Sequence, residues 1–147
     1  MVQTVHSDTI DLLRECNAGV KMGVISIEEV IDKVQNDGLK NLLNACKDEH
    51  QQLGSEIHEL LNSYHDEGKE PNPMAKGMSW MKTNVMMSVK DEDSTIADLI
   101  TDGCNMGVKS LNRYLNKYEA ADEKTKDIAK RLINLEEKLT VDIRQYL

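Results

Sequence analysis

Apolar residues recur along the chain at the alternating three- and four-residue steps of an amphipathic α-helix. The first such stripe contains Ile10, Leu13, Asn17, Val20, Val24, Ile27, Ile31 and Val34. This spacing keeps the stripe on one face, where a helix packs against the other helices of a bundle. Ser7 lies just before the stripe and is a favourable N-cap residue, which predicts a first helix that begins at Asp8.

Three further stripes predict three more long helices. The second stripe follows the break at residues 36–38, Asn-Asp-Gly, and fades near Gly68. The third opens at Asp93-Ser94, and the fourth follows Asp122, which is placed to cap it. The chain is therefore predicted to be all-α.

The lengths of the connections predict the topology. Short turns within residues 7–66 and within residues 94–147 make each of these segments an antiparallel helix hairpin. The connection at residues 67–93 is long enough to cross a helix of about 28 residues, which is about 42 Å long. Residues 79–90 predict a short amphipathic helix within this crossover. We therefore expect a single domain over residues 1–147, with the one-crossover topology of ferritin-like four-helix bundles.

Composition limits the classes of function. The 147 residues carry a net charge of -8, which argues against binding to nucleic acid or to an anionic membrane surface. Three widely spaced cysteines, Cys16, Cys46 and Cys104, do not form a disulfide framework. The first residues lack a basic region followed by an apolar run, so no signal peptide is predicted. These features predict a cytoplasmic protein with reduced thiols.

The first and third helices share a short repeat. Residues 16–21, Cys-Asn-Ala-Gly-Val-Lys, match residues 104–109, Cys-Asn-Met-Gly-Val-Lys, at five of six positions. Either the two hairpins are related halves, or the match is a coincidence of composition. Because a helical glycine costs about 1 kcal/mol relative to alanine, we expect Gly19 and Gly107 to serve close packing.

From residue 12 to residue 146 the sequence resembles a bacterial family of ferritin-like four-helix-bundle domains of largely uncharacterised function. The resemblance rests on Leu12, Leu13, Cys16, Gly19, residues 68–71, residues 77–80, Gly103, Cys104, Tyr114 and residues 142–144. It implies the ferritin-like fold and no particular reaction. Relatives often have Gly-Glu where this chain has Gly103-Cys104, and in the wider superfamily such a carboxylate can bind metal. The cysteine puts that metal site in doubt.

A ferritin-type di-iron site needs Glu-x-x-His on two helices, with both side chains directed at the bundle axis. The sequence contains no Glu-x-x-His. Five other residues are candidates for a variant metal site inside the bundle: Cys16, Cys46, Glu49, Cys104 and Glu136. Thiolates with a carboxylate would suit zinc or iron. The alternative is that the cysteines act as small apolar residues of a close-packed core.

Other polar and adaptable residues receive structural interpretations. His50, His58 and His65 are expected on a solvated face, and Asn17 and Asn105 either hydrogen-bond across the core or lie on the surface. The crossover contains an adaptable apolar group formed by Met78, Trp80, Met81, Met86 and Met87. This group either covers the bundle or forms an interface for a homodimer or a protein partner.

Three functions remain open from the sequence. The first is a non-catalytic bundle that acts through protein contacts, with no cofactor, which the missing catalytic signatures favour. The second is a metal-binding or oxidoreductase bundle that holds iron or zinc at the variant Cys/Glu site. The third is a thiol redox sensor, which requires two cysteines with Cα atoms closer than about 7 Å.

Overall fold

A computed structural model describes residues 2–65 and 92–147, and these residues form four α-helices. They are α1 (Val2–Ile31), α2 (Asp37–Ser63), α3 (Asp93–Lys117) and α4 (Glu123–Asp142), and a short 3₁₀ helix (Ile143–Tyr146) follows. These ranges contain no strand, so the prediction of an all-α fold with four long helices is confirmed for the described residues. None of the described helices has the length and apolar character that a membrane span requires.

Side-chain caps fix the beginnings of two helices. The Asn36 side chain accepts a hydrogen bond from the Leu39 backbone N–H at 3.1 Å. Asp122 accepts one from the Thr125 backbone N–H at 2.8 Å, which confirms the predicted cap of α4.

The predicted cap of α1 is wrong. The helix begins at Val2, so Ser7 lies inside the helix. The extra turn is held by packing, because the His6 ring meets the Tyr64 ring edge-on with centroids 4.8 Å apart. Contact with the end of α2 thus extends α1 beyond the start that the stripe indicated.

Contacts at the helix ends define the topology. The His6–Tyr64 contact places the end of α2 beside the beginning of α1. At the other end, the Asp93 carboxylate accepts backbone N–H bonds from Gln35 and Asn36, each at 2.8 Å. The end of α2 and the beginning of α3 therefore lie at opposite ends of the bundle. The predicted crossover helix at 79–90 lies outside the described residues.

The turn between α3 and α4 is tied to the first turns of α1. The Ala120 N–H donates to Asp8 Oδ2 at 3.1 Å, and the Asp122 N–H donates to Thr9 Oγ1 at 2.9 Å. Since α4 begins beside the start of α1, these two helices run parallel across the bundle. Each of the other packed pairs, α1–α2, α3–α4, α1–α3 and α2–α4, is antiparallel.

The core consists of two hydrophobic clusters, one toward each end of the bundle. The first cluster includes Ile27, Val30, Leu39, Leu43, Ile96, Ile100, Leu139 and Ile143. The second includes Leu12, Leu13, Leu53, Ile57, Leu61, Leu111, Ile128 and Leu132. Each helix contributes residues to both clusters, and one residue of interest lies between these two sets. The four residues are Gly23, His50, Gly107 and Glu136. This middle level of the bundle contains the candidate site.

Candidate functional site

A cavity of about 270 Å³ lies at the middle level and is bordered by all four helices. Its apolar lining includes Met22, Ile27, Ile100 and Leu139, and its polar lining includes Ser26, Ser110, Tyr114 and Arg113. Met106 also borders it, with 58% of its surface exposed, so the cavity reaches the surface on the α3 side. His50 and Glu136 form its polar centre.

His50 is held by the helix that carries it. Its Nδ1 lies 2.8 Å from the carbonyl oxygen of Cys46, one turn earlier in α2. Because a carbonyl only accepts hydrogen bonds, Nδ1 carries the proton of that bond. The Cys46 Sγ lies 3.5 Å from the same nitrogen. The other ring nitrogen, Nε2, is thereby left for interactions across the bundle.

The His50–Glu136 pair joins α2 to α4 through the interior. His50 Nε2 lies 3.9 Å from Glu136 Oε1, and the two residues expose 2% and 7% of their surfaces. This distance suits an ion pair but is too long for a direct hydrogen bond. Neither His50 Nε2 nor Glu136 Oε2 has a hydrogen-bond partner among the described residues. The cavity is therefore bordered by one unsatisfied atom from each side chain.

Burial and proximity shift the pKa values of both groups upward. Burial alone would lower the pKa of His50, but hydrogen bonding with Cys46 and the nearby Glu136 carboxyl outweigh it and raise the pKa to about 10. Burial raises the pKa of the Glu136 carboxyl, and the neighbouring His50 opposes part of that rise. We infer that the pair holds a proton in neutral solution, either on Nε2 or on the carboxyl.

Two glycines provide the space that the pair occupies. A Cβ atom built on Gly23 would lie 2.8 Å from His50 Nε2, and one built on Gly107 would lie 2.8 Å from Glu136 Oε1. Both distances are shorter than side-chain carbons tolerate. Gly19, the repeat partner of Gly107, is different, because its Cβ would meet Leu132 at an ordinary 3.5 Å. The predicted packing role is thus specific at Gly107, where the neighbour is a carboxylate.

The three cysteines are free and buried, in two different places. Cys46 and Cys104 border the cavity, whereas Cys16 belongs to the second hydrophobic cluster. Burial, with a smaller contribution from Glu15, raises the pKa of Cys16 to about 12. Burial also raises the pKa of Cys104, and Glu136 and Cys46 add to the effect. High pKa values keep these two thiols protonated and weakly nucleophilic.

The structure brings together part of the predicted metal site. Of the five candidates, Cys46, Cys104 and Glu136 border the cavity, together with His50. Cys16 is in the other cluster, and Glu49 is exposed in a groove between α2 and α4.

Within the described ranges no three His, Cys, Asp or Glu side chains are arranged to hold a metal ion. The His50 ring shows why, because Cys46 approaches Nδ1 while Glu136 faces Nε2. The two ring nitrogens point in different directions, so these ligands do not converge on one point.

The sequence interpretation of the histidines is wrong for His50. His58 and His65 are exposed, as expected, but His50 is in the core. The available signal was the spacing, because His50 lies four residues after Cys46 and three before Leu53, on the apolar stripe of α2. The repeated asparagines also differ, since Asn17 is buried and Asn105 is exposed. The two halves of the repeat are therefore not equivalent in their surroundings.

Comparisons with known proteins found no match for this chain among protein-family models, curated proteins or solved structures.

Proposed function

We propose that this protein is a small-molecule-binding helical bundle whose central cavity takes a compact, largely apolar ligand. The observation that supports the proposal is the buried His50–Glu136 pair, which borders the cavity with Nε2 and Oε2 unsatisfied. A buried polar atom without a partner costs about 1–3 kcal/mol. A well-packed apolar pair is often at least as stable as a buried ion pair. A ligand with a polar group gives both atoms a partner.

The size of the cavity supports a ligand with one or two rings. An apolar cavity of about 150 Å³ in a protein core is large enough to bind benzene. The cavity here measures about 270 Å³, so it has space for a substituted ring or a fused pair of rings. The surface of its walls is mainly apolar, which favours an apolar body over a sugar or a nucleotide.

The other predicted functions have less support from the site. Thiol chemistry is disfavoured by the raised pKa values of Cys16 and Cys104. The protein-contact function depends on the crossover residues Met78, Trp80, Met81, Met86 and Met87, which lie outside the described residues. It stays a prediction, as do the homodimer and the ferritin-like relationship. Ligand binding in the cavity is compatible with the protein-contact function, the homodimer and the ferritin-like relationship.

Binding is testable with simple aromatic probes. We expect toluene or p-cresol to bind the full chain saturably, to raise its Tm, and to shift the amide resonances of Gly23 and Gly107 in ¹H–¹⁵N spectra. Ser26 borders the cavity and exposes 8% of its surface, so Ser26→Leu should fill the space and abolish binding. The matched control is Ser55→Leu, at an exposed position of α2, which should bind like the wild type.

Two results would contradict the proposed ligand site. Probes that leave the cavity amides unchanged, or that bind Ser26→Leu as well as the wild type, would show that the cavity is not a ligand site.

A further inference from the structure

The polar atoms of His50 and Glu136 at the cavity also indicate which polar group the ligand carries. This inference rests on the proposed function and concerns the polar group that the ligand carries. The gap between His50 Nε2 and Glu136 Oε1 is 3.9 Å. An oxygen atom can lie about 2.8 Å from both sides of such a gap, which is ordinary hydrogen-bond distance. A single hydroxyl oxygen therefore fits between the imidazole and the carboxyl.

The proton held by the pair decides which chemical group fits best. If the proton is on Nε2, the imidazolium donates and the carboxylate accepts. If it is on Glu136, the carboxylic acid donates and the neutral Nε2 accepts. In both arrangements the bridging group must accept one hydrogen bond and donate another. A hydroxyl group does both with one atom, whereas an ether oxygen only accepts.

Charge selects against ionised ligands at this level. A ligand carboxylate would lie against the Glu136 carboxyl, and a ligand ammonium would lie against the His50 imidazole. Desolvating a charge in the interior is unfavourable unless an opposite charge pairs with it. Arg113 is a further cationic side chain of the cavity, but it lies at the exposed border. An uncharged ligand avoids both conflicts.

We propose that the cavity selects uncharged hydroxyl compounds of one or two rings, of the phenol class, and that the hydroxyl bridges His50 Nε2 and the Glu136 carboxyl. The ring then lies among apolar residues that include Ile27, Ile100 and Leu139. Met22 and Met106 border the same space, and thioether sulfur makes favourable contacts with aromatic rings. Gly23 and Gly107 let the imidazole and the carboxyl lie close against the backbones of α1 and α3, where a Cβ atom would collide with them.

The test compares probes that differ only in the polar group. Toluene, p-cresol, 4-methylanisole and 4-methylbenzoate are titrated into the full chain at pH 7, with calorimetry and amide shifts as readouts. We expect p-cresol to bind at least about 10-fold more tightly than toluene and 4-methylanisole, because a polar site rejects analogues that leave it unpaired. We expect 4-methylbenzoate to bind more weakly than p-cresol.

A variant separates the hydroxyl bridge from general apolar binding. In His50→Leu/Glu136→Leu the preference for p-cresol over toluene should disappear, while toluene still binds. Glu137→Leu, at the exposed neighbouring position of α4, is the matched control and should keep the preference. If the double variant does not fold, the probe series on the wild type decides the question.

Three results would overturn the inference. Equal affinity for toluene and p-cresol within the cavity would remove the hydroxyl bridge but leave the proposed function intact. Tighter binding of 4-methylbenzoate would show an anion site, with Arg113 as the natural partner. If none of the probes binds in the cavity, this inference and the proposed function are both overturned.

Discussion

His50 on α2 faces Glu136 on α4 across 3.9 Å at the middle level of the bundle. At the same level, α1 and α3 contribute Gly23 and Gly107, which would collide with the pair if either carried a Cβ atom. Two helices thus provide large ionisable side chains and two provide space. This arrangement divides the aliphatic core into two clusters and creates a polar centre between them.

The two repeated glycines should respond in opposite ways to alanine. Gly107→Ala should lower the free energy of unfolding by about 1–3 kcal/mol, because its Cβ collides with Glu136. Gly19→Ala is the matched control and should raise the free energy by up to about 1 kcal/mol, since alanine favours the helix and Leu132 is at contact distance. Urea unfolding measures both. Equal effects at the two positions would contradict the specific role of Gly107.

Most of the helical architecture was predictable from the sequence. The period of the apolar stripes indicated four helices, and the residues Asp93 and Asp122 marked two of their beginnings. These signals are local, because they depend on spacing and capping within one helix. The start of α1 was not predictable in this way, since a tertiary contact of His6 with Tyr64 extends the helix.

The candidate site was predictable only in part. Glu136 was expected inside the bundle, but its partner His50 was assigned to a solvated face. The stripes show which face of a helix is buried, but they do not show which residues of different helices share a level. The same lack of level information placed Cys16 in one metal site with Cys46. Glu49 misses that site for another reason, since it lies on the exposed side of α2. In the structure, Cys16 and Cys46 belong to different clusters.

Stability should fall as the pH rises from neutral toward 10. The pKa of His50 rises from an ordinary 6.5 to about 10 in the fold, so the folded state binds more protons than the unfolded state between these values. The stabilisation is fully present below pH 6.5 and is lost as the pH passes through about 10. The slope should approach about 1.4 kcal/mol per pH unit at most. Urea unfolding at pH 6.5, 7.5 and 8.5 measures this slope.

The variant His50→Gln isolates the contribution of this group. The raised pKa of Glu136 acts in the same direction, because its stabilisation also belongs to the protonated form. The difference between wild type and His50→Gln should therefore be largest near pH 6.5 and should shrink toward pH 10. His58→Gln, at an exposed position of α2, is the matched control. A difference that stays constant with pH would contradict the raised pKa of His50.

The buried cysteines should resist alkylation in the folded protein. The pKa of Cys16 is raised to about 12 by burial, and burial also raises that of Cys104, so few thiolates form near pH 8. We expect iodoacetamide to modify both at least about 100-fold more slowly than in urea, as followed by peptide mass spectrometry. A cysteine introduced by Ser55→Cys, on the exposed face of α2, provides a reactive internal standard. Native rates close to that standard would show that the interior opens readily.

Asp93 should stabilise the contact between the two hairpins. It accepts the backbone N–H groups of Gln35 and Asn36 at 2.8 Å, and these lie between α1 and α2. Asp93→Ala should lower the free energy of unfolding by about 1–2 kcal/mol, because charge-assisted bonds to both amides are lost. Asp98→Ala, at an exposed position of the same helix, should change it by less than about 0.5 kcal/mol. Similar losses in the two variants would contradict a specific role for Asp93.

A double-mutant cycle across the His50–Glu136 pair shows whether the pair contributes mainly to stability. Glu136→Leu alone leaves a buried imidazole without its acid, and His50→Leu alone leaves a buried carboxyl without its base. Each single change should lower the free energy of unfolding by about 3–5 kcal/mol. The double variant replaces both polar groups by apolar ones, so it should be clearly more stable than either single variant and within about 2 kcal/mol of the wild type. Additive losses would mean that the two side chains act independently. A double variant that matches the wild type in stability, yet no longer prefers p-cresol to toluene, would indicate that the pair serves ligand recognition and that the fold does not depend on it.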